Sequence, residues 1–105
     1  MSDRQHSLEV DCGEVQSRLS GGDDNFLLLD CREDDENDLV NIPQARLLPM
    51  SQLQARIDEL AAYRKKEIIM LCHHGIRSLD VVVWLSQQGF TDVKSLAGGI
   101  DRWAQ

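Results

Sequence analysis

Two short, continuous apolar runs, at residues 26–29 and 68–71, constrain the fold most strongly. Each run is too short for a buried helix, and neither alternates with polar residues as a strand does when one of its faces meets water. Such runs are typical of strands buried on both faces, which occur in parallel sheets covered by helices. The chain must therefore supply helices between its strands, and we expect an α/β fold.

Helix signals fall between these strands. Asp11 stands three residues before Glu14 and predicts a helix through about Leu19, and Ser51 with Gln54 forms a capping-box pattern for a second helix. The apolar face of that second helix is predicted to comprise Leu53, Ile57, Leu60 and Ala61.

The second half of the chain continues the alternation. A third helix is predicted between Cys72 and Gly89, although the β-branched stretch 81–83 weakens helix propensity. A closing helix begins at Ile100. Further short strands are predicted at residues 7–10, 45–48 and 93–96. Strands that alternate with helices in this way indicate an α/β sandwich with a mainly parallel sheet.

Length and charge limit the classes of function. The chain has 105 residues, enough for one domain with a modest core, and a formal net charge of −7 from 18 acidic and 11 basic residues. This charge argues against nonspecific nucleic-acid binding, and no apolar run approaches the ~20 residues of a membrane span. The start of the chain lacks a signal-peptide pattern, and its three cysteines are an odd number. We therefore expect free thiols in the cytoplasm.

The segment from Cys72 to Ser78 carries the chemistry. A cysteine at the end of a buried strand opens a loop whose amides can converge on the sulfur, and amides in tight turns and at helix N-termini favour anions. The thiolate is the nucleophilic form of cysteine. Gly75 supplies backbone freedom and Arg77 adds a fixed positive charge. These features predict a nucleophilic Cys72 in a loop that comprises His73, His74, Gly75, Ile76, Arg77 and Ser78.

Three residues of this loop admit more than one role. His73 and His74 could shape substrate access or tune charge, because histidine titrates near neutral pH. Ser78 is expected to cap the following helix, and donation to the sulfur is the alternative. A metal site is not expected, because consecutive residues rarely converge on one ion and no other Cys/His cluster has ligand spacing.

Four separated segments of the chain resemble the small, single-domain rhodanese-like sulfurtransferases. Residues 28–33 resemble the family's Asp-x-Arg segment, residues 42–45 its Ile-Pro-Gly-Ala turn, residues 72–77 its active-site loop and residues 96–103 its closing Gly-Gly-x-x-x-Trp segment. The resemblance covers about residues 7–104 as one domain. It implies a three-layer α/β/α fold with a mainly parallel sheet of about five strands. Asn41 and Gln44 depart from the usual His and Gly of the turn.

The resemblance also implies a two-step reaction without a cofactor. The Cys72 thiolate attacks a sulfane sulfur, for example that of thiosulfate, and the resulting persulfide passes its sulfur to a thiol, cyanide or protein acceptor. A related phosphatase branch of the fold holds five residues between the cysteine and the arginine, whereas four separate Cys72 from Arg77. This shorter loop favours sulfur transfer over phosphate or arsenate chemistry. The alternative is a partner-specific persulfide carrier or interaction module with little activity toward free thiosulfate.

Supporting roles follow from the same comparison. Asp30, at the end of a neighbouring strand, could bind loop amides or pair with an arginine. Arg32 is expected to pair with a carboxylate such as Glu33 or Asp101. Cys31 occupies a position where the family often has valine, so we expect a small buried hydrophobe, and a disulfide with Cys72 stays open as an alternative.

Overall fold

The computed structural model describes residues 8–23, 25–33 and 42–103. Its strands are β1 (Glu9–Val10), β2 (Phe26–Asp30), β3 (Arg46–Leu47), β4 (Glu67–Leu71) and β5 (Val93–Leu96). Its α-helices are α1 (Cys12–Ser20), α2 (Met50–Arg56), α3 (Ile76–Gln87) and α4 (Gly99–Trp103), and a 3₁₀ segment (Ile57–Tyr63) follows α2 directly. Asn41, which departs from the family's turn, lies outside the described residues.

The five strands form one sheet in the order β1-β5-β4-β2-β3, and every neighbouring pair is parallel. The two apolar runs lie in β2 and β4, which pair from Phe26 opposite Glu67 to Asp30 opposite Leu71. Because the strands are parallel, all their carboxyl ends meet at one edge of the sheet. The predicted α/β architecture is confirmed.

Each face of the sheet packs against its own helices, which explains why the central strands are apolar throughout. In β4, Ile68 and Met70 enter one core cluster, while Ile69 and Leu71 enter the other. The first cluster includes Leu53 of α2 and Val81 of α3. The second cluster includes Val15 of α1 and Ile100 of α4.

Asp11 caps α1 as predicted, since its Oδ1 accepts the amide of Glu14 at 2.8 Å. The capping box predicted for α2 is wrong. That helix already begins at Met50 after Pro49, which makes no side-chain cap, so Ser51 lies inside the first turn. The amide and hydroxyl of Ser51 instead donate to the carboxylate of Glu33, at 3.2 and 2.6 Å, so the capping acceptor comes from a distant segment.

The predicted apolar face of the second helix is correct only in part. Leu53 and Leu60 are buried, Ile57 is half-buried, and Ala61 is exposed. The helix tightens into the 3₁₀ segment at Ile57, where side chains repeat every three residues. This spacing keeps Leu60 below Ile57 and turns Ala61 away from the core.

Candidate active site

Cys72 lies at the carboxyl edge of the sheet, directly after the central strand β4. Its side chain is 1% exposed and belongs to the first core cluster. The loop that follows turns back through Gly75, which has a φ of +94° and is the N-cap of α3. Only three residues therefore separate Cys72 from the first residue of α3, and the N-terminus of this helix points at the sulfur.

Two amides and one hydroxyl meet at the Cys72 sulfur. The amide of Gly75 donates to Sγ at 3.0 Å and the amide of Ser78 donates to it at 3.3 Å. The thiol donates to Ser78 Oγ, also at 3.3 Å. Donors fixed by the backbone stabilise a negative charge without reorganisation, so this cradle suits a sulfur anion.

Ser78 is the third residue of α3 and does not cap it, because the left-handed Gly75 starts the helix earlier than the expected N-cap. Its hydroxyl instead begins a buried chain, with Ser78 Oγ 2.7 Å from Ser95 Oγ and Ser95 Oγ 3.5 Å from the Gly75 carbonyl oxygen. Both serines are fully buried. When the sulfur is ionised, the Ser78 hydroxyl can donate to it and accept from Ser95, because a hydroxyl both donates and accepts.

The loop is attached to α4 through its backbone. The amide of Ile100 donates to the carbonyl of Cys72 at 2.8 Å, and the amide of Asp101 donates to that of His73 at 3.0 Å. Gly99 has a φ of +60°, and a Cβ there would meet the Cys72 carbonyl oxygen and lie 2.6 Å from the oxygen of His73. The close approach requires glycine at this position.

Asp30 and Arg32 form a buried ion pair at the carboxyl end of β2. Arg32 Nη2 lies 2.8 Å from Asp30 Oδ2, and the backbone amide of Arg32 donates to Asp30 Oδ1 at 3.0 Å. Arg32 thus pairs with Asp30, and Asp101 lies beside His74. Arg32 is 3% exposed and Asp30 is fully buried, so both residues shape the end of β2 from within the core.

The loop opens to solvent through a cavity of about 300 Å³ that is lined by Cys72, His73, His74, Ile76 and Arg77. Its rim is apolar and aromatic. Ile76 is 72% exposed, and the rings of His73 and His74 stack with their centroids 4.1 Å apart. The cavity gives a small substrate or an acceptor thiol a path to the buried sulfur.

The rim also carries a group that could hold a metal ion. His73, His74 and Asp101 each offer one ligand atom, and these atoms lie within 4.8 Å of one another. His74 Nδ1 is 3.8 Å from Asp101 Oδ2. The sequence alone offers only the consecutive Cys72, His73 and His74 as ligands, and it does not indicate Asp101 because α4 brings this residue from another part of the chain.

Comparison with known proteins identifies the family. A family model for the rhodanese-like domain matches residues 11–105. The chain belongs to the rhodanese-like family. It is 34% identical over 97 residues to a sulfurtransferase of Allochromatium vinosum, an alignment that covers 92% of this chain and 88% of that protein. It is also 34% identical over 79 residues to the thiosulfate sulfurtransferase GlpE of Coxiella burnetii, with 75% and 72% of the two chains covered.

Solved rhodanese-like structures share the fold. The human single-domain sulfurtransferase TSTD1 superposes with a TM-score of 0.78 at 25% identity, over 92% of this chain and 95% of that one. Membership in the family assigns rhodanese-type sulfur transfer to the chain, with a sulfur donor and an acceptor as substrates. Among the described residues, no helix is both long and apolar enough to cross a membrane.

Proposed function

We propose that the protein is a thiosulfate or persulfide sulfurtransferase that carries the transferred sulfur on Cys72. The observation that carries this proposal is the convergence of the Gly75 amide, the Ser78 amide and the Ser78 hydroxyl on one buried sulfur. Such a cradle fits a thiolate and a persulfide, and its size suits a sulfur atom. The name of the C. burnetii relative supports thiosulfate as the donor.

In the first half-reaction, the Cys72 thiolate attacks the sulfane sulfur of thiosulfate. A bond forms between Sγ and that sulfur, the sulfur–sulfur bond of thiosulfate breaks, and sulfite leaves with the bonding pair. In the second half-reaction, an acceptor thiolate or cyanide attacks the outer sulfur, and Cys72 leaves as a thiolate. The Cys72 thiolate is thus the nucleophile of the first half-reaction and the leaving group of the second.

The remaining loop residues act around this sulfur in the proposal. Gly75 and Ser78 bind the anion, while His73, His74, Ile76 and Arg77 border the path of donor and acceptor. Asp30 and Arg32 position the loop through their buried ion pair. The proposal treats residues 7–104 as one catalytic domain and assigns it to the cytoplasm, because its three cysteines would need a reducing compartment to stay free.

The test is intact-mass spectrometry after incubation with thiosulfate and removal of excess donor. The wild-type protein and the matched control Cys12→Ala are expected to gain one sulfur atom, which cyanide removes as thiocyanate. Cys72→Ser is expected to gain none. A folded Cys72→Ser protein that still gains labile sulfur would contradict the assignment of Cys72.

A partner-specific persulfide carrier is the second candidate, and the exposed Ile76 favours it. An isoleucine that is 72% exposed at the rim of the cavity offers apolar surface to a protein acceptor rather than to a small anion. The carrier predicts that Cys72 accepts sulfur from a persulfide donor while thiosulfate leaves it unloaded. Equal loading by both donors, without any protein trapped as a mixed disulfide beyond a Cys72→Ser control, would count against it.

A further inference from the structure

A second buried cysteine, Cys31, stands beside Cys72 on the neighbouring strand. The register of β2 and β4 ends with Asp30 opposite Leu71, and the amide of Cys31 donates to the Leu71 carbonyl at 3.0 Å. The ladder thus continues for one more residue, which places Cys31 opposite Cys72. Neighbouring strands lie about 4.8 Å apart, within the range of about 4.4–6.8 Å between the Cα atoms of disulfide-bonded cysteines.

The side chains of the two cysteines also face the same way. Residues in lateral register share a face of the sheet, and both Cys31 and Cys72 belong to the first core cluster. The backbone of Cys31 is fixed on its other side too, because its carbonyl accepts the amide of Met50 at 2.8 Å. Cys12, the remaining thiol, belongs to the cluster on the opposite face of the sheet.

The surroundings of Cys31 keep its thiol protonated. Burial raises the pKa of Cys31 to about 12, and negative charge on Cys72 raises it further. Cys31 is fully buried, so its sulfur is shielded from reagents in solution. The sulfur that Cys31 can react with inside the core is that of Cys72, which lies opposite it in the ladder between β2 and β4.

We propose that Cys31 is a resolving thiol that attacks the persulfide on Cys72 and releases its outer sulfur as sulfide. The inference rests on the proposed function, which supplies the persulfide. A bond forms between the sulfurs of Cys31 and Cys72, and the bond between Cys72 Sγ and the outer sulfur breaks. The persulfide anion first takes the proton of the Cys31 thiol, and the Cys31 thiolate formed in this way attacks Cys72 Sγ. The outer sulfur leaves as hydrosulfide, so a persulfide anion and a thiol give a disulfide and hydrosulfide. The Cys31 sulfur is oxidised to the disulfide level, which Cys72 Sγ already has in the persulfide, and the outer sulfur is reduced to sulfide.

This step adds an activity to sulfur transfer. Without any acceptor, one loaded chain would liberate one sulfide and stop as the Cys31–Cys72 disulfide. Two molecules of an external thiol would then reduce the bridge and restore the thiolate, with one disulfide of that thiol as the product. The protein would thereby convert thiosulfate and thiols to sulfite and sulfide.

The test follows a single loading event in the absence of any acceptor. The protein is loaded with thiosulfate or with glutathione persulfide, desalted, and followed by intact mass, by released sulfide and by non-reducing peptide mapping. Wild type and Cys12→Ala are expected to gain one sulfur atom, then lose it together with two hydrogens and release one sulfide per chain. Cys31→Val, which fills the same space without a thiol, is expected to retain the added sulfur.

Each outcome decides the inference. A wild-type persulfide that lasts as long as that of Cys31→Val, with no cross-linked peptide, overturns the role of Cys31 and leaves the proposed function intact. If Cys31→Val does not fold, the wild-type peptide map decides, because absence of a Cys31–Cys72 link overturns the proposal. If neither donor loads the folded wild-type protein, both the proposed function and this inference fail.

Discussion

At the scale of single residues, the contacts of the Cys72 sulfur come from both the backbone and a side chain. Two amides hold Cys72 Sγ, and these belong to the backbone, so the hydroxyl of Ser78 is the contact that a substitution can remove cleanly. The Ser78 hydroxyl has a second hydrogen-bond partner in the core, the hydroxyl of Ser95. Removing the Ser78 hydroxyl therefore shows how much a side-chain donor adds to the backbone donors in stabilising the anion.

Ser78→Ala is expected to slow the loading of Cys72 by thiosulfate about 10- to 100-fold, because a hydrogen bond to a charged group contributes about 1.5–3 kcal/mol. The measurement is the second-order rate of sulfur gain, quenched and read by mass. Ser86→Ala is the matched control, since Ser86 lies on the same helix and its hydroxyl only bonds the Val82 carbonyl. Equal rates in Ser78→Ala and wild type would show that the amides alone hold the anion.

At the scale of elements, the short helix α4 acts as part of the loop that follows β4. Amides in its first turn donate to the carbonyls of Cys72 and His73. The two backbones approach so closely at Gly99 that no room is left for a Cβ atom there. Gly75 meets the same turn from the other side, since a Cβ there would lie 2.9 Å from the Gly98 nitrogen. The geometry of the loop therefore depends on residues more than twenty positions away in the chain.

Gly99→Ala is expected to destabilise the protein and to slow the loading of Cys72, because the added methyl group pushes α4 off the loop. Gly22→Ala is the control, since Gly22 has a φ of +79° and nothing within 4 Å of its Cβ position. Gly22→Ala is therefore expected to lower the free energy of unfolding only by the cost of alanine in left-handed backbone, about 1–2 kcal/mol. Urea unfolding and the loading rate would check both variants, and equal effects of the two substitutions would rule out a role for the close contact.

At the scale of the whole molecule, the two edges of the sheet have different tasks. The carboxyl edge carries the site, while ion pairs join the elements at the amino edge. Glu67 at the start of β4 binds Arg18 of α1 at 2.6 Å and Lys94 of β5 at 3.1 Å. These contacts tie a helix layer to the sheet far from Cys72, so they belong to stability rather than to chemistry.

Glu67→Gln is expected to lower the free energy of unfolding by about 1–2 kcal/mol at pH 7 and to leave sulfur loading unchanged. The hydrogen bond from Arg18 holds the pKa of Glu67 below its usual value. A lowered pKa stabilises the folded state above the ordinary glutamate pKa of about 4.3, and this stabilisation is lost as pH falls through the folded-state pKa.

Urea titrations of wild type and Glu67→Gln at pH 7 and at about pH 3 would test this linkage. The difference between the two proteins is expected to shrink at the lower pH. Glu59→Gln, which breaks exposed pairs with Arg46 and Arg56, is expected to have a much smaller effect at pH 7. A Glu67→Gln difference that is the same at both pH values would contradict the ionic origin of the contribution.

The sequence predicts the fold and the position of Cys72 because both depend on local patterns. Apolar runs without alternation indicate buried parallel strands, and a cysteine followed by Gly75 and Arg77 indicates an anion loop. The prediction fails where distant elements meet. Ser95 looks like an ordinary polar residue in a short strand, and Ser78 looks like an N-cap until the left-handed Gly75 starts the helix early. The partner of Ser51 is equally invisible, since Glu33 reaches it from another segment.

The backbone contact at Gly99 has a consequence for engineering. Because the carbonyls of Cys72 and His73 end on amides of Ile100 and Asp101, the seven residues from Cys72 to Ser78 do not specify their own conformation. Transplanting them alone into another parallel α/β scaffold would leave two carbonyls unpaired and the loop free to collapse. The smallest segment that could be transplanted is discontinuous, because it joins the loop to the Gly98–Gly99 turn and to the first amides of α4.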